Sequence, residues 1–284
     1  MTAPIRLAIV GSGWRGQFFA RLAAKLPAEV ELVGGCVRRT ELVTPTAASW
    51  QVPVHTSVTE LVQRERPQLV VVCVGWQASP AVISELVGAG VRVLAETPPA
   101  PDTDGLRGLW QQVGGTDSVQ VAEQYLLMPA HAARLELVRG GVIGRASSVQ
   151  VSSTHTYHAV SLIRGLLDAG YGPVRISAQQ QSAPLVDPLT RDAWTDDDEA
   201  KPAVTTLATI DFRDGKSGLY DFTDTQWHNQ LRMRRIVVRG SHGEIVGDDV
   251  VRLAGPRLIL RSALHRSQLG YDLNLDGYDT EHIS

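Results

Sequence analysis

The run Ile5-Arg6-Leu7-Ala8-Ile9-Val10 passes directly into Gly11-Ser12-Gly13-Trp14-Arg15-Gly16 and then into a helix-forming stretch ending near Leu26. No other feature narrows the possible folds as much. In a strand that turns at once into a helix, the first glycine permits a tight turn and the second lets backbone approach a pyrophosphate. The third allows close helix–strand packing. The helix N-terminus then offers amide donors to an anion. This context turns a weak pattern into a dinucleotide-binding loop, with Gly11, Ser12, Gly13, Trp14, Arg15 and Gly16 as candidate cofactor ligands.

The surrounding chain has the rhythm that such a loop requires. VELVGGCV (30–37) and the nearly continuous apolar run LVVVCVG (69–75) read as buried strands. PAVISELVGAG (80–90) reads as a helix, VRVLAE (91–96) as a strand, Asp104 to Val113 as a helix and SVQVAEQY (118–125) as a strand. Alternating strands and helices predict a parallel α/β sheet.

Beyond this point the pattern changes. PAHAARLELVRGGVIG (129–144) is a helix closed by glycines, ASSVQVSSTHT (146–156) a strand and HAVSLIRGLLDAG (158–170) a helix. VRISAQQQS, VTTLATIDF, GLYDFTDTQ, RRIVVRGSHGEI and DVVRLAG follow as strands with hairpin breaks such as Arg213-Asp214-Gly215. The acidic stretch 190–203 reads as a solvated loop. The polar ending LNLDGYDTEHIS suggests a disordered tail or an incomplete chain. The expected architecture is therefore α/β: a Rossmann domain over residues 1–124, then an α+β domain over 125–284 with a large, mostly antiparallel open sheet.

At the end of the second strand, where a carboxylate would hold ribose hydroxyls, the chain has Val37-Arg38-Arg39-Thr40. Guanidinium groups can bind a 2′-phosphate that a carboxylate would repel. Arg38 and Arg39 thus favour NADP over NAD, unless both lie in solvent and pair with nearby acids.

With 27 basic and 30 acidic residues the formal charge is −3, which gives no footprint for nucleic acid or an anionic membrane. Cys36 and Cys73 sit in apolar runs, as small buried residues do. Neither an export signal nor a membrane span is expected, and a cytoplasmic location fits.

The ordered set GSGWRG, WQVPVHTSVTELV, VVVCVG, GVRVLAETP, VQVAEQYLLMPAH, GGVIG and HAVSLIRGLL resembles the glucose–fructose oxidoreductase/inositol dehydrogenase (Gfo/Idh/MocA) family over almost the whole chain. The resemblance implies a nicotinamide cofactor and a sugar-like substrate meeting between two domains. It also implies homodimers or homotetramers formed through the C-terminal sheet. At the family's Glu-Lys-Pro signature this chain has Glu96-Thr97-Pro98, so the lysine that contacts cofactor and substrate is Thr97. The family's His is His158, but the Asp that often precedes it by four residues is Thr154. By the same resemblance Gly75, Trp76, Glu96, Thr97 and Gln124 border the cofactor; Glu123 shares that strand end.

Hydride transfer belongs to the cofactor, and the protein has to place the substrate and move a proton. A threonine cannot titrate near neutrality, so Thr97 can position a hydroxyl or water only. His158 is the candidate acid/base, against the competing reading of a core histidine bonded to backbone. Tyr157, Tyr125 and His155 are possible relays. His155 and His158 have no third ligand nearby, so no metal is expected. No nucleophile elbow supports a triad of Ser161, His158 and Asp168.

The leading expectation is an NADP(H)-dependent oxidoreductase of a sugar, polyol or similar small carbonyl compound. The alternatives are a non-catalytic nucleotide-binding sensor, an imine reductase or a redox-assisted glycosidase.

Overall fold

The computed structural model describes residues 3–190 and 193–265. The chain divides into two compact units, the first ending at Glu123 and the second beginning at Gln124. The polar C-terminal ending lies outside the described residues.

In the first unit the elements run β1 (Ile5–Val10), α1 (Trp14–Lys25), β2 (Val30–Cys36), α2 (Val43–Trp50), β3 (Val54–His55) and α3 (Val58–Glu65). β4 (Leu69–Val72), α4 (Ser79–Gly88), β5 (Arg92–Ala95), α5 (Thr103–Val113) and β6 (Val119–Val121) complete it. All six strands are parallel, in the order β3-β2-β1-β4-β5-β6. The order reverses between β1 and β4, and the crevice outside the strand carboxyl ends at such a point is where open α/β sheets bind ligands.

Alternation along the strands sends Ala8, Val10, Val70 and Val72 to one face and Leu7, Ile9 and Val71 to the other. Helices cover both faces, which is why β4 is apolar throughout. Two helix starts are fixed by side chains: Ser57 Oγ accepts from Glu60 N at 3.3 Å, and Asp102 Oδ1 accepts from Gly105 N at 2.7 Å.

The second unit contains α6 (Pro129–Arg139), β7 (Ala146–Ser152), α7 (Thr156–Leu167), β8 (Arg175–Leu185), β9 (Lys201–Asp211) and β10 (Ser217–Thr223). β11 (Arg235–Gly240), β12 (Gly243–Val246), β13 (Asp249–Gly255) and β14 (Leu258–Ala263) follow. Its eight-stranded sheet has the order β14-β13-β12-β11-β7-β10-β9-β8. Only β7 and β10 pair in parallel, so their carboxyl ends share one edge of the sheet.

Ala159, Leu162, Ile163 and Leu166 recur at helical spacing on α7 and pack against Val149, Val151, Ile210 and Ile236 of the sheet. Residues 201–203, expected in a loop, belong to β9. Their partners are Ala183 to Leu185, and Pro202 lies opposite Pro184 beyond the end of β10, where missing N–H donors cost little.

Candidate functional site

Backbone geometry in the first unit determines the glycine positions. Gly11 has φ +102°, and a Cβ there would lie 2.3 Å from the Cys73 carbonyl oxygen. A Cβ on Gly16 would lie 2.0 Å from the Gly11 carbonyl oxygen. Both positions therefore exclude any side chain. Gly13 differs: a Cβ there would meet nothing within 4 Å. The fold leaves that space empty at the N-cap of α1, where no side chain of Gly13 caps the helix and a helix N-terminus favours an anion. An anionic group fits this cradle, and the residues present suit a dinucleotide.

Arg15, in the first turn of α1, reaches the end of β5 and forms an ion pair with Glu96 at 2.5 Å. Both side chains are largely buried, 19% and 15% exposed. Glu96 also accepts the Thr97 N–H, at 3.2 Å. Glu96 thus caps a loop amide at the carboxyl end of β5. The Arg15 guanidinium lies 4.8 Å from the Phe18 ring centre and 5.2 Å from that of Phe19. Burial foremost, then the Glu96 charge, pushes the Cys73 thiol up to about 12, with Arg15 opposing. That thiol is protonated and unsuited to nucleophilic work. Thr97 is half-buried, while Gly75 and Trp76 are exposed on the loop after β4.

Arg38 and Arg39 follow β2 and are exposed. Arg39 makes a loose contact with Glu41 at 3.8 Å. Among the described residues Arg38 has no ion-pair partner.

The second unit gathers imidazole and phenol rings at the carboxyl edge of β7. His158 is 9% exposed. Its ring centre lies 4.5 Å from that of Tyr125, 4.4 Å from Tyr157 and 5.0 Å from His155. Tyr125 stands in a short 3-10 turn (Tyr125–Leu127) rather than on a strand, with Gln124 just before it. Thr154 and Ser153, which precede this cluster, are buried with hydroxyls that find no partner.

Behind Tyr125 lies His131, whose Nδ1 is 3.2 Å from Arg134 Nη1. The guanidinium can only donate, so Nδ1 accepts and the His131 proton sits on Nε2. Arg134 is held in turn by Asp248 at 2.5 Å and by the Gly247 carbonyl at 2.7 Å. The sequence pattern does not single out His131, Arg134 or Tyr220, whose Oη accepts the Thr156 N–H at 3.0 Å. The first two share a face of α6 at a spacing of three residues, which was a usable signal, whereas Tyr220 had none. Among the described residues no group of three or more His, Cys, Asp or Glu side chains could hold a metal ion, and no helix is long and apolar enough to cross a membrane.

Comparison with known proteins points the same way. Residues 5–122 match the model of an oxidoreductase family with an NAD-binding Rossmann fold, Gfo/Idh/MocA. L-aspartate dehydrogenase 1 of Bordetella parapertussis is 34% identical over 108 residues. That stretch is 38% of this chain and spans only 40% of the relative's length. Among solved structures, GenD2 from gentamicin A biosynthesis, in complex with NAD, matches with a TM-score of 0.66 at 20% identity, covering 87% of this chain and 72% of its own. The WlbA dehydrogenase of Chromobacterium violaceum, in complex with NADH and UDP-GlcNAcA, matches with a TM-score of 0.69 at 17% identity. It covers 90% of this chain and 79% of its own. At such identities the two structures establish a shared fold. With its glycine loop on a 3-2-1-4-5-6 parallel sheet, the N-terminal unit has the NAD-binding Rossmann fold of the Gfo/Idh/MocA oxidoreductase family, whose model it matches over residues 5–122.

Proposed function

We propose that this protein is an NADP(H)-dependent oxidoreductase acting on a sugar, polyol or similar small carbonyl compound. The observation that carries this reading is the open space at Gly13 between two glycines that tolerate no side chain. A bound nicotinamide dinucleotide would supply the hydride or receive it. The backbone amides that follow Gly11, whose own N–H donates to the Cys36 carbonyl, hold its diphosphate, and Arg38 and Arg39, with no carboxylate between β2 and Thr40, favour a 2′-phosphate.

His158 is the group that moves the proton. Its neighbours Tyr125 and Tyr157 confine the imidazole and offer hydroxyls to a substrate oxygen. Thr97 contributes a hydroxyl without titrating. Arg175 to Pro184 of β8 are exposed along the strand, which supports association of copies through the eight-stranded sheet.

The likeness to L-aspartate dehydrogenases supports a second reading, in which the reacting bond is carbon–nitrogen. An imine is protonated more readily than a ketone, so this chemistry asks less of an acid where the family lysine is absent.

The test is fluorescence titration with NADPH and NADH, then a panel of sugars, ketones and imines followed by loss of reduced-nicotinamide absorbance. NADPH is expected to bind more tightly, and replacing both Arg38 and Arg39 with serine should equalise the two. His158→Ala should abolish turnover with binding retained. Absence of saturable binding by either dinucleotide would end this reading, and unchanged turnover would remove His158 from its role.

A further inference from the structure

The segments that follow the carboxyl ends of β1, β4 and β5, including the first turn of α1, are residues 11–16, 73–79 and 96–101. Together they contain one cationic side chain, Arg15, and one anionic side chain, Glu96. The two are bonded to each other at 2.5 Å across 81 residues of sequence. The guanidinium is further packed against the Phe18 and Phe19 rings, so it is held in one place rather than swinging into solvent.

An isolated carboxylate at this edge would oppose any anion seated in the glycine loop. Such like-charge repulsion would weaken binding by about ten- to a hundredfold before salt screening. Glu96 nevertheless has a structural task, because it holds the Thr97 N–H and ties β5 to the first turn of α1.

We propose that Arg15 acts through Glu96 as a charge mask: it cancels the carboxylate at the mouth of the nucleotide crevice, so that this strand tie does not repel the dinucleotide's diphosphate. Arg15 is then a positioning residue whose effect on the cofactor depends on the presence of Glu96. The proposal rests on the dinucleotide-binding reading above and adds what that reading does not contain, a fixed order of affinities among charge variants.

The test is NADPH binding by the full chain and by Arg15→Gln, Glu96→Gln and the double variant, with thermal melts to establish folding. Arg15→Gln exposes the carboxylate and should weaken binding ~10- to 100-fold. Glu96→Gln removes the negative charge while the guanidinium remains, and should tighten it. The double variant should return to within about threefold of wild type, because neither charge remains. Raising salt should narrow the spread.

A double variant as weak as Arg15→Gln would overturn the proposal by making Arg15 a direct phosphate ligand. Weaker binding by Glu96→Gln would overturn it by making the carboxylate itself a ligand. Equal affinities throughout would leave the pair a purely structural tie. Should Arg15→Gln fail to fold, the comparison of wild type, Glu96→Gln and the double variant decides, with a double variant more than tenfold weaker than wild type counting against the mask. A wild-type chain that binds no dinucleotide overturns the functional reading and this inference together, whereas normal wild-type binding with a flat cycle overturns this inference alone.

Discussion

Tyr220 Oη accepts the backbone N–H of Thr156 at 3.0 Å, a contact between β10 and the first residue of α7 that spans 64 residues of sequence. Thr156 has φ +27°, outside the comfortable region for a residue with a side chain. The phenol therefore steadies an unfavourable helix start, immediately beside His155, Tyr157 and His158. Tyr220→Phe should cost about 1 kcal/mol, because the freed N–H is exposed enough to find water. A melting temperature lowered by about 2–4 °C would reflect that loss. Turnover should fall more than NADPH affinity, since the perturbed residues lie in the second unit. An unchanged melt and unchanged turnover would show that the contact is incidental.

The same phenol carries a pH dependence. Burial raises the Tyr220 pKa above its ordinary value of 10.0, with the Thr156 N–H opposing and Asp224 adding to the rise. A raised value means that the folded chain holds this proton more tightly than the unfolded chain. The associated stability is complete below about pH 10 and is lost as pH climbs through the folded value. Urea denaturation of wild type and Tyr220→Phe between about pH 9 and 11 should show the variant losing stability with the shallower slope. Parallel slopes would assign the alkaline loss to other groups.

The local pattern revealed β1, its glycines and α1 because each of those residues is constrained by its immediate neighbours. It did not reveal β3, which is two residues long, or α2, which carries Pro45 and several β-branched residues. Nor did it reveal α3, although Ser57 and Glu60 stand at capping-box spacing, because that segment reads as a mere connection when only apolar periodicity is followed. β14 was also unread, being an exposed edge whose Leu258-Ile259-Leu260 pattern does not alternate. The helix expected at residues 158–170 begins at Thr156 and stops at Leu167, where Asp168 turns left-handed at φ 48°. The candidate site offers single residues to a sequence reading but not their pairings. Arg15 and Glu96 are 81 positions apart, and only the closed sheet brings them together.

Arg134 is the charged side chain whose loss should be felt most. It is 5% exposed and bonds Asp248, the Gly247 carbonyl, the Ala130 carbonyl and His131. Arg134→Met removes a buried cation and leaves the Gly247 oxygen without its partner. Complete loss of a buried pair costs ~3–5 kcal/mol, but Asp248 keeps partial access to water, so about 2–3 kcal/mol is expected. Asp248→Asn should cost less, because the amide oxygen can still accept from the guanidinium. Chemical denaturation that ranked the two variants the other way would contradict this account.

Both thiols should be inert in the folded chain. Burial, with Glu85 and Glu60 adding to it, pushes Cys36 up to about 11, and Cys73 stands at about 12. Thiolate is the reactive form, and at pH 8 about one molecule in a thousand or fewer would carry it at either position. Iodoacetamide should therefore leave intact protein unmodified by mass spectrometry and should add two groups once urea is present. Rapid modification of native protein at a single site would show that the thiol is less buried than the fold implies.

Gly11 and Gly13 separate folding from ligand binding within one loop. Gly11→Ala would drive a Cβ to 2.3 Å from the Cys73 carbonyl at φ +102°, so the β1–α1 turn has to move. Strain of this kind costs ~1–3 kcal/mol before the clash is counted. The melting temperature should fall and NADPH binding should fall with it. Gly13→Ala meets no protein atom within 4 Å and has an ordinary negative φ of −67°, so the fold should melt within about 2 °C of wild type. Its methyl group would occupy the space where a diphosphate must approach the backbone. Affinity for NADPH should then drop by at least about tenfold, the effect of roughly 1.4 kcal/mol of lost contact. Gly13→Ala binding as wild type does would mean that the open space beside Gly13 is not the diphosphate cradle, even with the rest of the Rossmann unit intact.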